Sequence, residues 1–293
     1  METPRPSASV VIPFAGSRDE LTCLAGDLEG MVIAPGDEVI IADNRRPGSP
    51  QLPDAALPAG TRIVRVDRLP SPALARNSGA AAASGEWLVF IDADTRPEPG
   101  LLDAYFDPPP GARTAILAGA ILDVAVRSTI VSRHDVARQR MSQDMTLRRR
   151  QPYAQTANCA VLRSAFDSVS GFDDQARGED ADLCFRLFEA GWELEERPAA
   201  RVTHRARETL LDWLSQQVRH GRGAGWLNAH YPGQFPGRGW RFLANRLVRL
   251  SGEAARSLAR GDREQAGFAM LDLIRVWAFE LGRIRPDRPR RWR

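Results

Sequence analysis

Asp92-Ala93-Asp94 is the pattern in this chain best suited to chemistry. It closes an apolar run, Trp87-Leu88-Val89-Phe90-Ile91, and is followed by the breakers Pro97, Pro99 and Gly100. The run reads as a buried strand. A strand ending in two acids delivers oxygens to the edge where open α/β sheets bind ligands. Hard oxygens there suit Mg²⁺ or Mn²⁺, ions that commonly bring phosphates with them. In an extended chain the alternation sends Asp92 and Asp94 to one side and Ala93 to the other. Asp also favours turns for its own reasons, so the pair taken alone is equally a polar turn after a core strand.

Three further segments carry candidate residues. Val11-Ile12-Pro13 and Asp43-Asn44 read as two strand ends lying side by side. A carboxylate such as Asp43 can accept the imide N–H of a uracil or a donor group of another base, although a turn or helix-capping aspartate explains it as well. Arg76, in Ala75-Arg76-Asn77-Ser78-Gly79, interrupts a small, apolar helical segment. It either snorkels to solvent or presents a forked cation to a diphosphate. Gly171-Phe172-Asp173-Asp174 leads to Gly178-Glu179-Asp180-Ala181-Asp182-Leu183. Acids at a helix start are favoured by the helix dipole; the functional alternative makes Asp180 a general base oriented by Glu179. His204 ends the run Val202-Thr203-His204 and offers a neutral imidazole as a third metal ligand, though a lone histidine is more often structural.

The elements that must position these residues alternate in the first half of the chain. Residues 9–13, 37–44, 61–66 and 87–91 read as strands, and residues 19–31 and 72–84 as helices, the second with Ser71 as its cap and Pro72 at its first position. Strands separated by helices imply a mostly parallel sheet flanked by helices. Further on, residues 115–126 and 155–162 read as strands, 133–150 as helix, 179–190 as a short amphipathic helix, and 192–197 and 200–204 as two strands. Beyond residue 207 the chain reads as helix, with Gly221 and Gly223 breaking or bending its first segment. This places a catalytic α/β unit at 1–205 and a helical region with an Arg-rich tail at 206–293.

Composition narrows the class. The 293 residues are 43% apolar, so a substantial core is available. The net charge is only +3, and every basic residue is arginine. Basic residues balanced by acids and not interleaved with aromatics argue against nucleic acid as a partner. Three widely spaced cysteines without a C-x-x-C pair suit a reducing compartment and not a zinc site. No signal-like segment or spanning apolar run stands out, so the expectation is a cytoplasmic protein, with any membrane contact peripheral at the inner face.

Five motifs in fixed order resemble family 2 glycosyltransferases of the GT-A fold, which are typically inverting enzymes that use nucleotide sugars. They are Val10-Val11-Ile12-Pro13, Val39-Ile40-Ile41-Ala42-Asp43-Asn44, Ala75-Arg76-Asn77-Ser78-Gly79, Gly85 through Asp94, and Gly171-Phe172-Asp173 with Glu179-Asp180-Ala181-Asp182-Leu183. The resemblance covers about residues 8–205. It implies a GT-A-type Rossmann-like sheet and a donor site at Pro13, Asp43 (base), Arg76 (phosphate side), Asp92 and Ala93. It implies a divalent Mn²⁺ or Mg²⁺ at Asp94 with Asp92 and His204, and catalysis by Asp180 with Glu179. The donor would be a UDP-, GDP- or dTDP-sugar, and the acceptor a sugar, a lipid-linked or a small molecule. The chain departs from the pattern in Asp43-Asn44-Arg45-Arg46-Pro47-Gly48-Ser49, where two arginines enter beside the base contact, and in Pro70-Ser71-Pro72.

Two other classes share parts of this pattern. A nucleotidyltransferase would need a richer basic glycine loop than Phe14-Ala15-Gly16-Ser17-Arg18, and a non-catalytic nucleotide-sugar sensor would be expected to have lost acids that are all present here. The C-terminal helices carry one apolar and one Arg-bearing face, suited to packing on the catalytic unit, to a homodimer, or to an anionic membrane surface.

Overall fold

A computed structural model describes residues 5–53, 57–66 and 71–284. Pro70 and the Arg-rich tail beyond residue 284 lie outside the described residues. In chain order the elements begin with β1 (Ala8–Phe14), α1 (Arg18–Leu28), β2 (Glu38–Asp43), β3 (Thr61–Arg65), α2 (Pro72–Ala82), β4 (Trp87–Ile91) and β5 (Thr95–Pro97). They continue with α3 (Leu101–Tyr105), β6 (Thr114–Val124), α4 (Ile130–Arg138), α5 (Asp144–Leu147), β7 (Asn158–Leu162), α6 (Arg163–Ser168), α7 (Glu179–Glu189) and β8 (Glu193–Arg205). Three long helices follow: α8 (Leu210–His230), α9 (Trp240–Ala259) and α10 (Arg263–Ile284).

The eight strands form one sheet in the order β3-β2-β1-β4-β7-β6-β8-β5. Its first four are parallel neighbours, the arrangement expected of strands linked by crossovers. The sheet is mixed beyond β4: β7 runs antiparallel to β4 and to β6, and β5 antiparallel to β8. The chain therefore goes outward from β1 to β2 and β3, then returns to the other side of β1 as β4. That reversal is the topological switch point, and the carboxyl ends of β1 and β4 open on its crevice.

Local chemistry explains the elements that form. Ser17 and Glu20 close a reciprocal capping box at the start of α1. Ser71 caps α2 and Pro72 opens it. β4 is buried along its whole length, as its unbroken apolar run demands. Asn158 ties the antiparallel half together: its side chain accepts from the Tyr105 hydroxyl at 2.6 Å and donates to the carbonyls of Ala120 and Ala200 at 2.9 Å.

Three local expectations are corrected. Residues 133–150 are not one helix; α4 ends where Gln139 turns left-handed, φ 43°, and its side-chain amide donates back to the Val136 carbonyl at 2.9 Å. The two strands expected at 192–197 and 200–204 are the single β8, which passes through an exposed Pro198. Proline is tolerated in a strand where its missing N–H faces no neighbour.

Nor do Gly221 and Gly223 break α8, which is continuous over Leu210–His230. A Cβ at Gly221 would sit 1.9 Å from the Phe279 carbonyl oxygen, and one at Gly282 would sit 2.2 Å from that of Val218. These glycines let α8 and α10 pack backbone to backbone. Gly221→Ala is therefore expected to destabilise by about 1–3 kcal/mol despite alanine's better helix propensity. A urea midpoint at or above that of the parent would refute the close contact.

The chain divides into two compact units, one of Met1–Leu122, Met141–Gln175 and Glu179–His204, the other of Asp123–Arg140, Ala176–Gly178 and Arg205–Arg293. The second unit is thus built from more than residues 206–293, because α4 and a three-residue stretch before α7 belong to it. Among the described residues no helix is long and apolar enough to cross a membrane.

Candidate active site

The parallel half of the sheet brings its strand ends together in the first unit. Pro13 faces Ala42 and Phe14 faces Asp43 in the β1–β2 register, so Pro13 and Asp43 are adjacent, as their positions in the sequence suggested. Asp43 is 1% exposed, and its carboxylate is already occupied. Arg45 grips it with Nε and Nη2, each at 2.9 Å, and Arg65 adds Nη1 at 2.7 Å. Burial works to raise the Asp43 pKa, but these two guanidinium groups outweigh it and hold the carboxyl below its usual range. Arg65 was missed in the sequence because nothing in a lone arginine on a strand announces its neighbour.

Asp92 and Asp94 do not lie on one side of an extended strand. After Ile91 the chain turns, with the Asp92 carbonyl accepting from the Thr95 amide at 3.1 Å and from the Thr95 hydroxyl at 2.7 Å. The turn gives each acid its own neighbours. Asp92 Oδ1 accepts from Arg76 Nη2 at 2.7 Å, whereas Asp94 Oδ2 lies 3.7 Å from His204 Nε2. The second meeting depends on β5, which sequence reading missed: Thr95 pairs with His204 across the β5–β8 ladder. A three-residue strand gives too little periodicity to detect.

Arg76 is 4% exposed, so it does not snorkel to solvent. Its second arm, Nη1, donates to Glu179 Oε1 at 3.1 Å, and its guanidinium carbon lies 5.8 Å from the centre of the Phe172 ring. One cation thereby links the acid after β4 to the acid that opens α7. Asn77, on the next position of α2, locks the approach to α7 by donating to the Phe172 carbonyl at 2.8 Å and accepting from the Phe172 amide at 2.9 Å. Gly171 is obligatory there: its φ is +67°, and a Cβ would lie 2.7 Å from Asn77 Oδ1.

Asp180 is the most perturbed of the acids in this site. Burial first, and then the charge of Glu179, push its carboxyl from an ordinary 3.8 to about 7; the Ala181 amide and Arg76 oppose the rise. Tyr153, which sequence reading passed over, is held protonated by its own burial and by the charge of Asp180. A carboxyl tuned close to neutrality is suited to moving a proton at physiological pH.

Among the described residues no three His, Cys, Asp or Glu side chains converge to hold a metal ion by themselves. Asp92, expected to share a metal with Asp94 and His204, accepts from Arg76 through one of its oxygens. Asp94 and His204 supply one hard oxygen and one imidazole nitrogen. That pair fits Mn²⁺ or Mg²⁺ provided that phosphate oxygens and water complete the shell.

Comparison with known proteins addresses the family and the fold. Two pre-mycofactocin glycosyltransferases of Mycobacterium tuberculosis strains are 28% identical over 235 residues, 76% of this chain and 48% of theirs. A probable glycosyltransferase of Bacillus subtilis, YdaM, is 28% identical over 171 residues, 55% of this chain and 40% of its own. The chain thus spans about half the length of the curated relatives it matches. Among solved structures, the mannosyltransferase PcManGT of Pyrobaculum calidifontis, in complex with GDP-Man and Mn²⁺, superposes with a TM-score of 0.64 at 14% identity, covering 96% of this chain and 88% of that one. A crystal structure of a mycobacterial protein gives 0.53 at 20% identity, covering 76% and 74%. The fold is accordingly that of the GT-A glycosyltransferases. Residues 87–262 match the family described as glycosyl transferase family group 2, and the chain belongs to that family.

Proposed function

We propose that this glycosyltransferase moves a sugar from a nucleoside-diphosphate donor to an acceptor hydroxyl by a metal-dependent inverting displacement. The observation that carries the proposal is the Asp180 carboxyl tuned to about 7 beside Glu179, with Arg76 tying Glu179 to Asp92 at the switch point. Family membership favours this reading over nucleotidyl transfer.

In it, Asp180 removes the proton from the acceptor hydroxyl as that oxygen bonds to the anomeric carbon. The bond from that carbon to the diphosphate breaks on the opposite face, and the leaving nucleoside diphosphate takes the electron pair. Glu179 and Arg76 orient the base. Asp92 reaches the donor ribose and Asp43 lies at the base end. A divalent ion, held by Asp94 and His204 when bound, would neutralise charge developing on the leaving diphosphate. The exposed apolar side chains of Trp240 and Val248 on α9 favour a membrane surface or a second copy as partner for the C-terminal helices.

The structural neighbour above was solved with GDP-Man and Mn²⁺, and a second, GalNAc-T7, with UDP, GalNAc and Mn²⁺; its TM-score is 0.50 at 15% identity, covering 69% of this chain and 44% of that one. Both nucleotides therefore belong in a screen of UDP-, GDP- and dTDP-sugars with Mn²⁺, read by thermal shift and donor hydrolysis. At least one donor should raise the melting temperature and turn over. Asp94→Ala should raise the Mn²⁺ concentration needed for half-maximal turnover by more than roughly 10–100-fold, the loss typical when only an outer-shell partner of a metal ligand is removed. No shift with any nucleotide would overturn the proposal, and an unchanged Mn²⁺ requirement would overturn the role of Asp94.

A further inference from the structure

The second unit contains a concentration of arginines that its own carboxylates do not balance. Asp272, buried on α10, faces His134 Nε2 at 3.2 Å, accepts from Arg138 Nε at 3.1 Å and pairs with Arg140. The other ring nitrogen of His134 faces Asp135 at 3.2 Å, and Asp135 also accepts from the Trp213 indole at 2.9 Å. Asp272 and Asp135 together raise the His134 pKa against the effect of burial, so the histidine draws on the same negative charge. One turn along α10 from Asp272 comes Arg275, and Arg246 lies on α9, which packs along α10. Arg238 lies 3.8 Å from Glu280, which Arg283 shares, and over the Phe242 ring at 4.8 Å.

The Nε atoms of Arg140, Arg246 and Arg275 are buried and have no hydrogen-bond partner among the described residues. Arg275 feels this most. Burial first, and then the charges of Arg140, Arg238 and Arg246 against that of Asp272, bring its pKa down to about 10. An arginine normally carries its head to water along its flexible stem. Guanidinium groups on packed helices with buried, unsatisfied N–H groups are costly unless an anion answers them. Their forked donors match the oxygens of a phosphate.

We propose that Arg140, Arg246 and Arg275 form a binding site for a phosphate or diphosphate group in the second unit. Arg140 is already paired with Asp272, so the doubly charged phosphate group or a diphosphate meets the remaining charge of Arg246 and Arg275, and its several oxygens can accept from more than one fork. The group could belong to a free phosphate or to a lipid headgroup, and the two are separated by experiment.

The test uses the full chain in EDTA, so that no metal-dependent donor site takes up the probe. Inorganic phosphate and pyrophosphate are titrated by calorimetry. Sedimentation compares vesicles of phosphatidylcholine with vesicles that also contain phosphatidic acid. Wild type should bind pyrophosphate or the acidic vesicles, and Arg246→Gln/Arg275→Gln should weaken that binding at least tenfold. Without phosphate the double variant should melt higher than wild type, because uncompensated charge has been removed, and its melting point should no longer respond to the anion.

Arg275→Lys, which keeps the charge and loses the fork, should give an intermediate loss and covers the case in which the double variant does not fold. Binding confined to acidic vesicles assigns the group to a lipid headgroup; binding of the soluble anions assigns it to a free phosphate. Failure of wild type to bind any probe, equal binding by wild type and variants, or a double variant that melts lower with an undiminished anion response would overturn the site.

Discussion

Asp180→Asn should lose about 10²–10⁴-fold in kcat, the range a positioned general base contributes, while melting at a higher temperature than the parent. Asparagine keeps the acceptor that receives the Ala181 amide at 3.0 Å and removes only the charge. The stability gain follows from linkage. The folded-state pKa of Asp180 is raised from 3.8 to about 7, so the folded chain prefers the neutral form. Below about pH 4 the group is protonated in both states and costs nothing. Between pH 4 and 7 the unfolded chain ionises while the folded chain resists, and above pH 7 the penalty is complete. Its size is on the order of 2–4 kcal/mol, which for a chain of this size corresponds to several degrees in Tm.

The two measurements separate the roles that sequence left open. A helix-capping carboxylate would lower the melting point when removed and leave chemistry nearly intact. A base held in an unfavourable environment does the reverse, the trade between stability and activity common at catalytic sites. Wild-type kcat/KM should also climb with pH along a limb centred near 7, and the variant should lack that limb. Activity within a few-fold of the parent would remove Asp180 from the mechanism.

What sequence could and could not reveal depends on whether a residue's partner lies nearby in the chain. The strand before Asp92 was legible because five apolar residues in a row have few alternatives to burial, and α2 because Ser71 and Pro72 mark its start. That the strand ending at Pro13 lies beside the one ending at Asp43 followed from β-α-β rhythm, whereas the register that sets Phe14 opposite Asp43 did not. In contrast, Arg76 and Glu179 are 103 positions apart, and no local rule joins a lone arginine in an alanine-rich helix to an acid at another helix's start. The same holds for Asp94 and His204, which meet only through a three-residue strand. Gly221 looked like a helix breaker because sequence shows its missing side chain and not the α10 backbone that fills the space. The arginines around Asp272 looked like the solvated face of amphipathic helices, since periodicity reports which residues share a face and not whether another helix covers it.

Arg76→Met tests the bridge on which the active-site reading depends. The guanidinium is buried, and its two arms hold acids 31% and 23% exposed. Removing one partner of a fully buried ion pair costs about 3–5 kcal/mol. Partial exposure of Asp92 and Glu179 lets water take up some of the loss, so about 2–3 kcal/mol is expected here. Arg→Met preserves much of the apolar stem, which confines the change to the charge and its forks. Activity should fall with it, because Asp92 loses a donor at 2.7 Å and Glu179 one at 3.1 Å. A merely structural role predicts only those losses. The electrostatics predict one more: Arg76 is among the groups that hold the Asp180 pKa down. Without it, the rising limb of kcat/KM should move above pH 7, while Arg76→Lys, which keeps a positive charge, should restore most of its position. A variant that is destabilised and slow but titrates as wild type does would show that Arg76 only props the fold, and that Asp180 is tuned without it.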